Sequence, residues 1–130
     1  MKKEMFDKNP ILKLSFDFSL MIIAYCERLE VEKKYIISRQ LLKSGTSIGA
    51  NAMEAQNAES KVDFIHKMKI AAKEAEESQY RLWLCEYSDY YQDCTQLQNK
   101  LEEINKVLGK IISTSKKKTP LSYLICFLIF

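Results

Sequence analysis

The chain has 130 residues, of which 47% are hydrophobic and 28% charged, a balance that fits one globular domain and excludes a disordered polymer. Three Gly and two Pro are too few turn residues for an all-β chain, so helical periodicity makes an all-α protein the expectation. The net charge of +3, from 20 basic and 17 acidic residues, permits nucleic acid as a partner and excludes the strongly basic class of nucleic-acid coats.

Asn9-Pro10 reads as a helix opening, with Asn as the N-cap and Pro at the first helical position. Behind it Ile11, Leu14, Phe18, Met21, Ile22, Tyr25 and Leu29 recur at three- and four-residue steps, predicting a helix over 10–31. Glu32-Lys33-Lys34 is the first connector, and Ser38 is expected to cap a second helix over 38–57. The apolar line of that helix, Leu41, Gly45, Ile48, Ala52 and Ala55, shrinks along its length. Small residues let a neighbouring helix approach closely, toward the low end of the roughly 8–10 Å interaxial range. Gly45 and Gly49 within a helix each cost about 1 kcal/mol against Ala, and close packing is the expected compensation.

Ser60-x-x-Asp63 reads as a capping-box-like start for a third helix over 61–91. Phe64, Met68, Ala71, Ala75, Ser78, Leu82 and Cys85 follow in alternating four- and three-residue steps, the signature of a bundle interior. A second line on another side, Ile65, Ala72 and Trp83, is surplus to a monomeric bundle and points to a neighbouring subunit. Asp93 or Thr95 is expected to cap a fourth helix over 94–114, with Leu97, Leu101, Ile104, Leu108, Ile111 and Ile112 as its core line and fraying in 113–115. The bundle thus occupies 1–115. Residues 116–130 are a basic linker and an apolar tail, LSYLICFLIF. Ten residues are too short to span a bilayer, which takes roughly 20. Three readings of the tail stand: packing back on the bundle, plugging a subunit contact, or weak membrane attachment. Packing against protein is favoured, and a membrane role is not expected.

Catalytic and metal constellations are hard to assemble from these residues. A di-iron bundle needs two Glu-x-x-His repeats, and the chain has one His, in Asp63-Phe-Ile-His66. That His also leaves the Cys and Ser nucleophiles without a base. Gly45-Thr-Ser-Ile-Gly49 is not a phosphate loop. Cys26, Cys85, Cys94 and Cys126 show no metal-knuckle or Cys-x-x-Cys spacing, and MKKEMFDKNP lacks a signal-peptide core, so a cytoplasmic chain with free thiols is expected. Glu77/Arg81 and Glu102/Lys106 are spaced as i,i+4 pairs, and a partly buried Glu54 would be satisfied by Lys67 or by backbone NH groups of the turn into the third helix. Lys33, Lys34, Arg39 and Lys43 gather around Tyr35, and several copies of this patch in a ring would multiply phosphate contacts.

The run IGANAMEAQNAESKVDFIHKMKIAAKEAEESQYRLWL resembles the small four-helix-bundle proteins encoded in 23S rRNA intervening sequences. The likeness rests on the small-residue run into Glu54-Ala55, then Ser60, Asp63-Phe64-Ile65, Lys67, Ile70-Ala71 and Lys73-Glu74-Ala75. It extends through QLLKSGTSIGAN and the fourth helix, covering most of 10–115. It implies an antiparallel up-down-up-down bundle, a ring-like homopentamer and no enzymatic activity. A similar bundle, the accessory protein of diversity-generating retroelements, binds nucleic acid and a reverse transcriptase. The tail departs from the family pattern.

Together these readings predict a non-catalytic, oligomeric bundle without cofactor, metal or small-molecule substrate. Lys33, Lys34, Arg39 and Lys43 would face RNA or DNA, and Ile65, Ala72 and Trp83 a sister subunit. The alternative is a protein-interaction scaffold with no nucleic-acid role.

Overall fold

Asn9 starts the first long helix as its chemistry requires. Its side-chain oxygen accepts the Leu12 amide at 3.4 Å, and Pro10 has no amide to satisfy. The computed structural model describes residues 3–117, which form α1 (Lys3–Lys8), α2 (Pro10–Val31), α3 (Tyr35–Ala55), α4 (Lys61–Tyr87) and α5 (Thr95–Ser115) and, among those residues, no strand. The apolar segment 121–130 and Cys126 lie outside the described residues.

The four long helices pack as a bundle in which each touches its chain neighbours and α2 also meets α5. Hydrogen bonds fix the directions. At one end Asn9 Nδ2 donates to Gln56 Oε1 (3.3 Å), and at the other Ser38 Oγ donates to the Cys26 carbonyl (3.1 Å), so α2 and α3 run antiparallel. Between α3 and α4, Lys67 Nζ meets Glu54 Oε2 at 3.1 Å, Ser78 Oγ donates to Ser44 Oγ at 2.9 Å, and Arg81 Nη1 donates to the Gln40 carbonyl at 3.3 Å. Lys61 Nζ donates to the Lys117 carbonyl, bringing the start of α4 to the end of α5. The Glu54–Lys67 pair is solvent-exposed and contributes at most about 1 kcal/mol.

The whole seam from Phe64 to Cys85 is buried, as its spacing predicts, and faces the buried line Leu41, Gly45, Ile48, Ala52, Ala55 of α3. Leu97, Leu101, Ile104, Leu108 and Ile111 are buried as well, while Ile112 is only half-buried. In α2, Leu14 and Met21 turn out half-buried, whereas Leu12, Ser15 and Cys26 enter the core. The glycines earn their place by proximity. A Cβ on Gly45 would lie 2.9 Å from Ile22 Cγ1, and one on Gly49 would lie 3.2 Å from Ser15 Oγ. Replacing Gly45 with Val should therefore destabilise the fold by about 2–3 kcal/mol despite the better helix propensity, as read from the urea midpoint.

Several boundaries differ from expectation, each for a local reason. A short α1 precedes α2 and anchors to it through the Phe6 and Phe16 rings, 4.8 Å apart. Helix α3 begins at Tyr35, because Lys33 takes a left-handed φ of 63° that reverses the chain within three residues. Ser38 is then already inside the helix, and its hydroxyl bonds across to α2 instead of capping. Ser60 does cap α4, accepting the Asp63 amide at 3.0 Å. That helix stops at Tyr87, four residues early, where 88–94 turns back through Tyr90 at φ 67°. Two interior bonds hold the turn: the Tyr25 hydroxyl donates to the Gln92 carbonyl at 2.8 Å, and Cys94 Sγ to the Leu82 carbonyl at 3.5 Å. Neither Asp93 nor Thr95 caps α5; the Thr95 hydroxyl donates to Asp93 Oδ1 (2.7 Å) and Cys94 is the N-cap. Ser115 is buried, bonded to the Ile111 carbonyl, and keeps the last turn helical.

Candidate nucleic-acid interface

The residues expected to meet phosphates lie around the α2–α3 and α4–α5 connections. They do not form one free patch. Lys34 Nζ donates to the Tyr90 carbonyl, sits 4.3 Å from the centroid of the Tyr91 ring and lies 3.4 Å from Glu32 Oε2. Its charge holds the 88–94 turn in place. Arg39 lies over the Tyr35 ring at 5.8 Å, and Lys33 and Lys43 are exposed. Carboxylates crowd the same half of the molecule. In residues 21–45 and 75–105, ten Asp and Glu stand against seven Lys and Arg.

The other half has the opposite balance. Residues 3–20, 46–74 and 106–117 carry eleven lysines against seven carboxylates. The bundle is therefore electrically polar along its axis, its halves carrying about four positive and three negative charges, one unit of each being the Lys106–Glu102 pair at mid-length. Lys116 and Lys117 are exposed at the positive end, where Lys61 bonds the Lys117 carbonyl, and Lys69 is exposed about two turns further along α4. In the sequence only the run at 116–118, which reads as a linker, announces this surface. Its lysines come from three separated stretches that only antiparallel packing brings together.

Among the described residues no group of three or more His, Cys, Asp or Glu is placed to hold a metal ion. His66 is exposed. Burial pushes the Cys26 and Cys94 thiols up to about 11, and the Cys85 thiol in the same direction. Protonated at neutral pH, these three thiols are poor nucleophiles. Burial, then the neighbouring Cys85, likewise raises the Tyr25 hydroxyl, which keeps its proton and its bond to Gln92. A crevice of about 420 Å³ between α2, the 88–94 turn and α5 carries Arg28 and Asp93, charges of opposite sign, with Gln92 and Gln96.

The second apolar line on α4 has its three members on one side, about two and three turns apart. Ile65 is half-buried, Ala72 packs against the core, and only Trp83, 52% exposed, presents a large free surface. More exposed apolar area lies across the molecule on α2 and α3, where Leu20, Ile23, Leu42 and Met53 are each at least 39% exposed. Met53 borders a crevice of about 260 Å³ floored by the small residues Ser15, Ser19, Gly49 and Ala50. No described helix is long and apolar enough to cross a membrane.

This arrangement has known counterparts. A protein of unknown function from the S23 ribosomal protein family of Bacteroides thetaiotaomicron VPI-5482, solved by crystallography, is 41% identical with a TM-score of 0.75, over 78% of this chain and 97% of that chain. No curated protein matches the sequence. The model of the 23S rRNA-intervening sequence protein family matches residues 7–110, nearly the whole helical bundle, and the chain belongs to that family.

Proposed function

We propose that the protein is a non-catalytic, self-associating helical bundle that binds RNA or DNA through its lysine-rich end. The segregation of charge along the bundle axis carries this reading. The lysines of α4 and α5 at that end belong to the half of the bundle in which lysines outnumber carboxylates by eleven to seven, whereas carboxylates outnumber cations around Lys33 and Arg39. Ammonium groups on a rigid end-face meet phosphates without base-specific geometry, so the binding is electrostatic and tolerant of sequence.

Self-association supports the same function. The α2–α3 side and the Trp83 side of α4 are different apolar surfaces, and a contact between unlike faces closes into a ring when the rotation per subunit allows it. The homopentamer implied by the family resemblance is such a ring. It would set the positive ends side by side, so that each subunit's few phosphate contacts add along one strand.

A salt titration of single-stranded RNA binding tests the reading. Four lysines per subunit (Lys61, Lys69, Lys116 and Lys117) give a slope of log affinity against log salt of roughly −3, or about a fiftyfold loss between 50 and 200 mM. Absence of binding even at low salt would refute the nucleic-acid role and favour a scaffold for proteins.

A further inference from the structure

We propose that the acidic end of the bundle docks an arginine-rich segment of a partner protein. The inference does not depend on the nucleic-acid reading. It starts from the end where the 32–34 and 88–94 connections meet and several large side chains stand in solvent. Val31 is 83% exposed, Ile36 79%, Tyr87 84% and Tyr90 91%. These side chains belong to the ends of α2, α3 and α4 and to the adjoining turn, which Lys34 joins through the Tyr90 carbonyl and Glu32 through Gln92 Nε2. Nothing in the fold demands an aromatic at Tyr90. Its ring is outside the core, and its left-handed φ of 67° is one that bulky residues rarely adopt. Tyr87 and Tyr90 thus leave two aromatic rings in solvent at this end of α4, with the exposed Asp89 between them in the chain.

The charge around it selects the occupant. This half of the bundle has ten carboxylates to seven cations. Ion pairs take up three of those carboxylates, Glu32 with Lys34, Glu77 with Arg81 and Glu102 with Lys106, and two of those cations, which leaves seven carboxylates to five cations. Glu27 and Asp89 remain exposed. The surface therefore repels nucleic acid and attracts a cation. The same end shows how a cation binds there, because it pairs Arg28 with Tyr25, Lys34 with Tyr91 and Arg39 with Tyr35, all within 5.8 Å of the ring centroids. Tyr87 and Tyr90 have no such partner among the described residues. A guanidinium fits this combination of open ring faces and carboxylates better than an ammonium, since it stacks flat and forms paired hydrogen bonds.

The test uses the full chain, without RNA, and three fluorescein-labelled peptides of equal length, an Arg-Gly, a Lys-Gly and a Ser-Gly repeat, followed by anisotropy at about 50 mM salt. The Arg-Gly peptide should bind, the Lys-Gly peptide should bind several-fold more weakly, and the Ser-Gly peptide should not bind. Replacing both Tyr87 and Tyr90 with Ala should weaken Arg-Gly binding roughly tenfold or more while leaving the thermal midpoint unchanged. Lys116→Glu with Lys117→Glu, at the opposite end, should leave it unaltered. Equal binding of the Arg-Gly and Ser-Gly peptides would overturn the proposal. So would an Arg-Gly affinity unmoved by the tyrosine changes, or one controlled by Lys116 and Lys117.

Discussion

Reversing the charges of Lys61, Lys116 and Lys117 together is expected to weaken RNA binding about a hundredfold at 0.1 M salt. Each lost contact to a single strand removes about 0.7 from the salt slope and, at that concentration, about fivefold in affinity. The slope per subunit should fall from roughly −3 to about −1. The fold should survive. Glu at position 61 gives up the exposed bond to the Lys117 carbonyl but is favourable in the first turn of α4, and Glu at 116 and 117, beside the carboxyl end of α5, costs about 0.3–1 kcal/mol each. Circular dichroism and a melting curve establish that directly. Arg39→Glu with Lys43→Glu is the control from the opposite end, where carboxylates already outnumber cations, and should change affinity less than threefold. The comparison decides between the two basic regions. Loss at 39 and 43 with none at 61, 116 and 117 would restore the surface suggested by the local clustering of lysines in the sequence.

Leu42→Glu with Met53→Glu is expected to convert the assembly to monomers at micromolar concentration while leaving the helix content unchanged. Both side chains are 39% exposed on the α2–α3 side, so the isolated bundle barely notices them. A subunit packed over them would have to bury two unpaired carboxylates, at a cost of several kcal/mol for each. Trp83→Ala, on the opposite side, removes a large half-exposed ring and should weaken association by at least about 2 kcal/mol if the ring is an anchor of the contact. Native mass spectrometry reads the subunit number for both. A wild-type monomer would remove the assembly from the account. An oligomer that withstands the α2–α3 change would move the contact elsewhere.

The helices and their buried faces were readable in advance because burial is a local, periodic property. Every residue of the seam from Phe64 to Cys85 lies inside, and Asn9-Pro10 and Ser60 open their helices as their chemistry requires. The ends were less legible where a long-range contact overrides a local preference. Ser38 has the chemistry of a cap, yet the Cys26 carbonyl 12 residues away claims its hydroxyl. Helical pattern alone could not place the end of α4 at Tyr87, because Tyr25, 67 residues before Gln92, fixes the turn that follows. The candidate interface was the least legible part. Lys33, Lys34, Arg39 and Lys43 are close in sequence, but the charge of Lys34 is paired with Glu32 as it holds the turn, and the others stand among carboxylates. The lysines of the positive end are scattered through the chain, and only the antiparallel packing collects them.

Lysine footprinting tests the polarity of the bundle most directly. The free protein and its complex with single-stranded RNA are acetylated at low reagent dose, and the modified lysines are identified by mass spectrometry. Lys61, Lys69, Lys116 and Lys117 should be protected in the complex, and the modification of Lys33 and Lys43 should be unchanged. Protection confined to Lys33 and Lys43, with the four at the other end still reactive, would contradict it.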